Sequence, residues 1–396
     1  MLRLPQFAAL GFAVLTAVAS DDRVITTESP SSGVAFSKDG NSLAVFGKDN
    51  KIGVWDLASG KLVRNIELPR DETPPFLLAS GRHVFTVTTN GVIKTRELAS
   101  GLEIAAFDYP PPSDFGGVMA LVTDGTLFAA SGKDPVSPSS ALIRVVDRAG
   151  KARFQAPAGV GGHYSMAFSP NEDTLVAAGL DTDIRVWDAR TGEPRRVISE
   201  MKLAMFDLAY SPDGKYLATA GADRTIYLWD TKSWKIARKI TGQPETIKAI
   251  RFSPDGAMLV TGGMNERNFA SPVKVVLWDF ASGRQLRAWT AEHMVQGLAF
   301  SPGGKQVAVA DGTKSVKLLA VPNKAGASKR QERIQVVRLR QKAPRRDMLK
   351  SGAREYTASL PRALTGGQPA RWRHPRLVGE SQQNYLSILA LLREIL

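Results

Sequence analysis

Residues Met205 to Asp230 read MFDLAYSPDGKYLATAGADRTIYLWD, and the reading of this stretch governs the rest of the chain. A short apolar run, Leu208-Ala209-Tyr210, meets the corner Ser211-Pro212-Asp213-Gly214. There proline pre-sets φ, aspartate bonds its own backbone, and glycine takes the left-handed position that closes a hairpin. A second run, Tyr216-Leu217-Ala218-Thr219-Ala220, reaches a turn around Gly221-Ala222-Asp223. A third, Thr225-Ile226-Tyr227-Leu228-Trp229, ends in Asp230. β-Branched and aromatic residues fill these runs, as a pleated and half-buried surface requires. The stretch predicts one small antiparallel sheet.

The same pattern recurs along the chain. Positions equivalent to Trp229 are Trp55, Arg96, Val146, Trp187, Trp278 and Leu319, and the successive spacings are 41, 50, 41, 42, 49 and 41 residues. Corners like the first stand at Ser37-Lys38-Asp39-Gly40, Ser253-Pro254-Asp255-Gly256 and Ser301-Pro302-Gly303-Gly304. A period of about 40–45 residues marks an array in which each sheet is buried by its neighbours. The chain resembles the WD-repeat family at Trp55-Asp56, Trp187-Asp188, Trp229-Asp230 and Trp278-Asp279. The likeness runs over residues 23–322, with degenerate copies at Arg96-Glu97, Val146-Asp147 and Leu319-Ala320. It implies an all-β, seven-bladed β-propeller of four-stranded antiparallel blades. In that family the first strand commonly completes the last blade. The segment Arg23-Val24-Ile25-Thr26-Thr27-Glu28 is placed to do so, with residues 334–339 as the alternative fourth strand.

Composition narrows the chemistry. The 396 residues include no cysteine and four histidines, which excludes disulfides, thiolate metal clusters and a thiol nucleophile. Formal net charge is +14, but residues 324–396 hold 16 Lys/Arg against 5 Asp/Glu. That segment therefore carries +11 and leaves +3 for everything before it. Residues 1–20 have Arg3 at the start, an apolar stretch from Phe7 to Val18, and a small-x-small pattern at Ala17-Val18-Ala19. This reads as a secretory signal peptide, too short to span a bilayer, and places the chain in the bacterial periplasm or outside the cell. An uncleaved anchor or a buried strand is the competing reading of the same residues.

Beyond residue 322 the strand rhythm stops. The segment 323–396 has clusters at Lys329-Arg330, Arg338-Leu339-Arg340 and Arg345-Arg346 and too little apolar content to offset the entropy of ordering. It is expected to be a basic extension of low order, suited to an anionic envelope surface, with nucleic acid disfavoured for an exported chain. Residues 381–396 form a helix-like apolar face through Leu386, Ile388, Leu389, Leu392 and Ile395, with Ser381 as N-cap. A spurious extension is the competing reading.

The insertions are not spread evenly. Leu127 to Val146 and Leu259 to Trp278 are each 19 residues apart, against 12 for Leu217 to Trp229. Two copies thus gain seven residues between second and third strands, near 133–141 and 264–272. The connection from Tyr109 to Phe115 is also long and proline-rich. By the resemblance all three fall on one rim, the top, whereas the other rim has minimal turns such as Ala58-Ser59-Gly60 and Arg190-Thr191-Gly192. Long loops on a rigid scaffold carry binding, although drift lengthens loops too. Candidate partner-binding residues on this rim are Tyr109, Phe115, Arg224, Arg267 and Phe269, since aromatics and arginines anchor interfaces. Phe115 and Phe269 have a second outcome, return onto their own blades.

Catalysis has little to work with. The innermost strands contribute Asp207, Lys248, Arg251 and Gln296 as their polar side chains beyond serine. One carboxylate does not make a metal cage, and no nucleophile elbow, phosphate loop or dinucleotide motif occurs. In the resembled family an Asp often joins a His, a Ser/Thr and the Trp in a buried set. Asp181 and Asp223 hold the Asp place, as does Asp49, but Met201 and Gln243 stand where His would, so no complete set is expected. The three aspartates read as turn residues. The resulting expectation is a monomeric, non-catalytic scaffold without metal or cofactor that binds an unidentified protein on the top face. The alternative is a hydrolase, lyase or small-ligand binder working through the central channel.

Overall fold

A computed structural model of the chain describes residues 22–69, 72–79, 83–88, 92–98, 100–108, 115–121, 127–133, 140–147, 151–160 and 163–322. Among these there are twenty-eight strands and no helix, grouped as seven four-stranded antiparallel sheets. Blades one to six span 31–67, 72–108, 115–160, 163–198, 205–240 and 246–291, each with its strands in sequence order. Blade seven takes three strands from 297–320 and its fourth from Arg23–Thr26, which pairs with Ser315–Ala320. The ring therefore closes with its first strand. The expected leader, the basic extension and the 381–396 helix lie outside the described residues, as does the alternative closing strand.

Each Ser-Pro-Asp-Gly corner is held in the same way. Ser211 Oγ donates to Asp213 Oδ1 (2.7 Å) and accepts the Tyr216 N–H (3.0 Å), while Gly214 N–H reaches the Ser211 carbonyl (2.8 Å). Gly214 sits at φ 70°, where an L side chain is strained. Ser37, Ser253 and Ser301 likewise accept the N–H five residues on.

On the same rim the acid of each Trp-Asp pair closes the turn to the outermost strand. Asp56, Asp230 and Asp279 each accept the N–H and the hydroxyl of the serine three residues later, and Asp188 accepts the N–H groups of Arg190 and Thr191. The Ser59 and Ser233 bonds hold the Asp56 and Asp230 carboxyls below the usual range, and the Thr191 N–H does the same for Asp188. The motif's acid is a turn device.

The core lies between blades. Val176, Ile184 and Ile198 of blade four meet Leu208, Leu217 and Trp229 of blade five. One step on, Ala218, Ile226 and Ile240 meet Ile250, Leu259 and Trp278 of blade six. Each large apolar side chain so buried contributes about 1.5–3 kcal/mol, and a lone blade would forfeit most of it. The tryptophans at 187, 229 and 278 are buried, and Trp229 and Trp278 donate Nε1–H to Thr219 Oγ1 (3.0 Å) and Thr261 Oγ1 (2.8 Å).

In blade two the packing differs, as the sequence implies, yet the polar contact survives. Arg96 is buried and its Nη1 donates to Thr86 Oγ1 (2.9 Å), the threonine at the same register, while Nη2 meets Glu103 (3.2 Å).

No complete set is formed, as expected, but blade six carries a partial one built on glutamine. Gln243 Oε1 accepts from Thr261 Oγ1 (2.8 Å) and its amide donates to the Lys274 carbonyl (3.1 Å). A glutamine both accepts and donates, so it serves where a ring nitrogen pair would. Met201, in the corresponding place before blade five, is packed among apolar side chains instead. Of the three turn aspartates, Asp223 accepts the Thr225 N–H (3.1 Å) as expected. Asp49 accepts from Ser29 Oγ (2.7 Å), and Asp181 and Asp183 both pair with Arg185.

Candidate binding face at the channel mouth

Antiparallel blades with strands in sequence order put the second-to-third-strand turns and the blade-to-blade connections on one rim. On that rim the innermost strands of blades one, four, five and six begin with the same irregularity. Opposite the second strand, Ser31, His163, Met205 and Ile247 are in register, the next residue is skipped, and pairing resumes. The skipped residues are Ser32, Tyr164, Phe206 and Lys248. A bulge re-aims the side chain it carries and ends regular pairing. Tyr164, Phe206 and Lys248 accordingly converge from three consecutive blades.

Tyr164 and Phe206 lie with ring centroids 5.0 Å apart and planes at 40°. Lys248 Nζ stands 5.7 Å from the Tyr164 centroid and 5.5 Å from that of Phe206, within reach of both π faces. Ala204, Phe206, Met264 and Met294 form a buried cluster, with Tyr164, Leu180, Ala222 and Phe269 packed against it. The connection entering blade five approaches closely at Gly221, where an added Cβ would fall 2.1 Å from the Ala204 carbonyl oxygen. Burial pushes the Tyr164 phenol above its usual value. It draws the Lys248 ammonium below its own, against the raising influence of Asp207, although Lys248 keeps some surface open.

Beneath this cluster lies the carboxylate of the inner strands. Asp207 is buried and accepts from Ser165 Oγ (2.8 Å) in blade four, its neighbour Leu208 N–H (3.0 Å), and Ile250 N–H (2.9 Å) in blade six. Arg251 completes the set as an ion pair. One side chain thus ties three blades together. Among the described residues no group of three or more His, Asp or Glu side chains could hold a metal.

The blade-six loop, residues 265–272, is built rather than slack. Asn265 Oδ1 accepts the Arg267 N–H (3.0 Å), Asn268 Oδ1 accepts the Ala270 N–H (3.0 Å), and the Phe269 carbonyl accepts the Met294 N–H (2.9 Å). Phe269 is half-buried on the methionine cluster, the second of its two expected outcomes, while Arg267 is exposed. Arg224 is exposed at the blade-five tip, with φ 62° and Nη1 on the Pro244 carbonyl (3.0 Å). Tyr109 and the insertion near 134–139 lie outside the described residues, and Phe115 is described only as the first residue of its strand.

Sequence reasoning picked out Phe269, Arg224 and Arg267 but not Tyr164, Phe206, Met264 or Met294. The shared bulge position, 42 residues apart in Tyr164, Phe206 and Lys248, was the signal that could have found three of the mouth residues.

The family model for the WD domain, G-beta repeat (WD40) matches residues 23–56, 154–188, 192–230 and 234–267. The first match starts at the closing strand, and the others start within or just before the outermost strand of one blade and continue into the next. The last stops inside the blade-six loop, before Trp278. The Arg96, Val146 and Leu319 copies fall outside all four. No curated protein matches the chain.

Proposed function

Since this chain is a seven-bladed β-propeller carrying WD40 repeats, we propose that it is a non-catalytic, monomeric scaffold that holds a protein partner on the rim around the channel mouth. The observation behind this reading is the concentration there of Tyr164, Phe206, Met264, Phe269 and Met294, bordered by the exposed Arg224 and Arg267. Half-exposed aromatics seated on an adaptable methionine bed, with peripheral arginines, are what interface cores and rims are made of.

Affinity capture with paired baits tests it. The Arg224→Glu, Arg267→Glu double variant is expected to lose at least one protein that the wild type retains, and to melt within a few degrees of it. A Val63→Lys variant, changed on the outer strand of blade one where Val63 is 64% exposed, is expected to keep that protein. Identical retention by all three baits would place binding elsewhere.

We further infer export, with the basic segment 324–396 meeting an anionic envelope surface. Removal of residues 1–20 would leave Asp22 and the closing strand in place. Fractionation of cells carrying the full chain, and one ending at residue 322, checks both points. Each is expected outside the cytoplasm, with salt-releasable membrane association for the full chain alone. Cytoplasmic retention of both, or association unaffected by truncation, would overturn the respective inference.

A further inference from the structure

We infer that the channel mouth contains a subsite for a carboxylate presented by the protein partner, with Lys248 as its counter-ion and Tyr164 and Phe206 as its walls. The inference rests on the reading of the mouth as the partner-binding face and adds the chemistry of what enters it.

Four features carry it. The bulge in the inner strand of blade six turns Lys248 toward the mouth, at the position where the two preceding blades place aromatic rings. Among the described residues no acceptor bonds its ammonium, and its contacts are the two ring faces. The carboxylate that acts on it, Asp207, is already committed to Ser165, Leu208, Ile250 and Arg251, so its oxygens are occupied. Of the ionisable side chains in the inner strands of blades four to six, Lys248 and Arg251 outnumber Asp207 by one positive charge.

A half-buried ammonium over two ring faces, with no acceptor among the described residues, gains a charge-assisted partner when an anion arrives, and a monoanion suits the place best. The walls are apolar, so a phosphate dianion would lose far more hydration than one ammonium returns. A carboxylate borne on an apolar segment loses less, and its hydrocarbon part would lie on the half-buried Tyr164 and Phe269, directly over the buried Met264 and Met294. Such a group reaches the mouth either as a chain end or as an Asp or Glu side chain.

Methyl-13C methionine labelling of the full chain gives a direct readout, with the Met264 and Met294 signals assigned by leucine substitution. The probes are N-acetyl-leucine for a terminal carboxylate, N-acetyl-glutamic acid α-amide for a side-chain carboxylate, and N-acetyl-leucinamide as neutral control. At least one acid is expected to shift both signals saturably and to bind about tenfold tighter than the amide. The tighter acid identifies the source. Lys248→Met is expected to reduce acid binding to the level of the amide, and Lys248→Arg to retain most of the preference. The melting temperature of Lys248→Met is expected not to fall, since a linear apolar chain of similar length replaces the ammonium, and this confirms that the variant is folded. Equal binding of acid and amide to the wild type, or a preference that survives in Lys248→Met, overturns the subsite alone. If no probe moves either methionine signal, the mouth is not a binding face and the proposed function falls with it.

Discussion

Deleting residues 22–26 is expected to destroy the cooperative unfolding transition of the ring. This strand supplies four register pairs to the third strand of blade seven, from Arg23 with Leu318 to Thr26 with Ser315. Ile25 is buried with Val34, Phe36, Val316 and Leu318 at the junction of blades seven and one. Loss of a buried isoleucine costs about 2–5 kcal/mol through transfer and cavity terms. Asp22 accepts from the Ala320 N–H (2.7 Å) and Arg287 (3.0 Å), and Arg23 reaches the Leu57 carbonyl (2.8 Å), so bonds to three neighbouring segments vanish as well. Against a typical total of about 5–15 kcal/mol, the sum is enough to unfold the domain or leave blade seven frayed. The uncovered strand Ser315–Ala320 would be an open edge, and open edges recruit other chains. A chain beginning at Asp22 should show one urea transition by circular dichroism and elute as a monomer. One beginning at Thr27 should show a broad or absent transition and early-eluting oligomers. Matching transitions for the two would mean that the ring does not depend on its seal.

Replacing Asp207 with alanine is expected to cost about 3–5 kcal/mol, the range for removing one partner of a buried charge network. The substitution orphans the Ile250 N–H and the Ser165 hydroxyl, both buried, and leaves Arg251 without its carboxylate. Arg251 itself is 43% exposed and can turn to water, which places the expected loss toward the lower end. Asp207→Asn should fall between alanine and wild type, because an amide oxygen still accepts but carries no charge. Urea midpoints, with a double-mutant cycle through Arg251→Ala, measure how much of the effect is the ion pair. A loss under about 1 kcal/mol for Asp207→Ala would show that water or rearrangement satisfies those donors.

How much of this was legible beforehand follows from what periodicity can carry. Spacing fixed the register of six copies, because a hairpin corner and a strand end recur at set intervals; the pairs Leu43 with Trp55 and Leu217 with Trp229 are the result. Blade three is the correction: Val146 faces Phe128 rather than Leu127, so its insertion is six residues and not seven, a slip that a copy without the corner motif or the tryptophan could not reveal. The role of Arg23–Thr26 was equally visible, since blade seven ran out of strands. What escaped was function shared between unlike residues. Arg96 reaches the threonine that a tryptophan would reach, and Gln243 bonds the threonine beneath Trp278, yet neither resembles the residue whose work it does. The mouth escaped for a different reason. Tyr164, Phe206 and Lys248 recur 42 residues apart, but two aromatics and a lysine do not look alike and the bulge that aims them leaves the repeat length unchanged, so the common spacing was easy to pass over. Phe269 was legible as a rim aromatic, but its choice between solvent and Met294 depends on a loop conformation set by Asn265 and Asn268.

The seal between Arg23–Thr26 and Ser315–Ala320 also has a consequence in time. One sheet is shared by the earliest and latest parts of the described chain, so the circle cannot be completed during synthesis until residue 320 is free. Early blades can condense, but each partial arc keeps a bare flank and stays shallow in free energy. A ribosome-bound chain is therefore still unlocked while its last blade is being made, and the locking step waits for release of that blade.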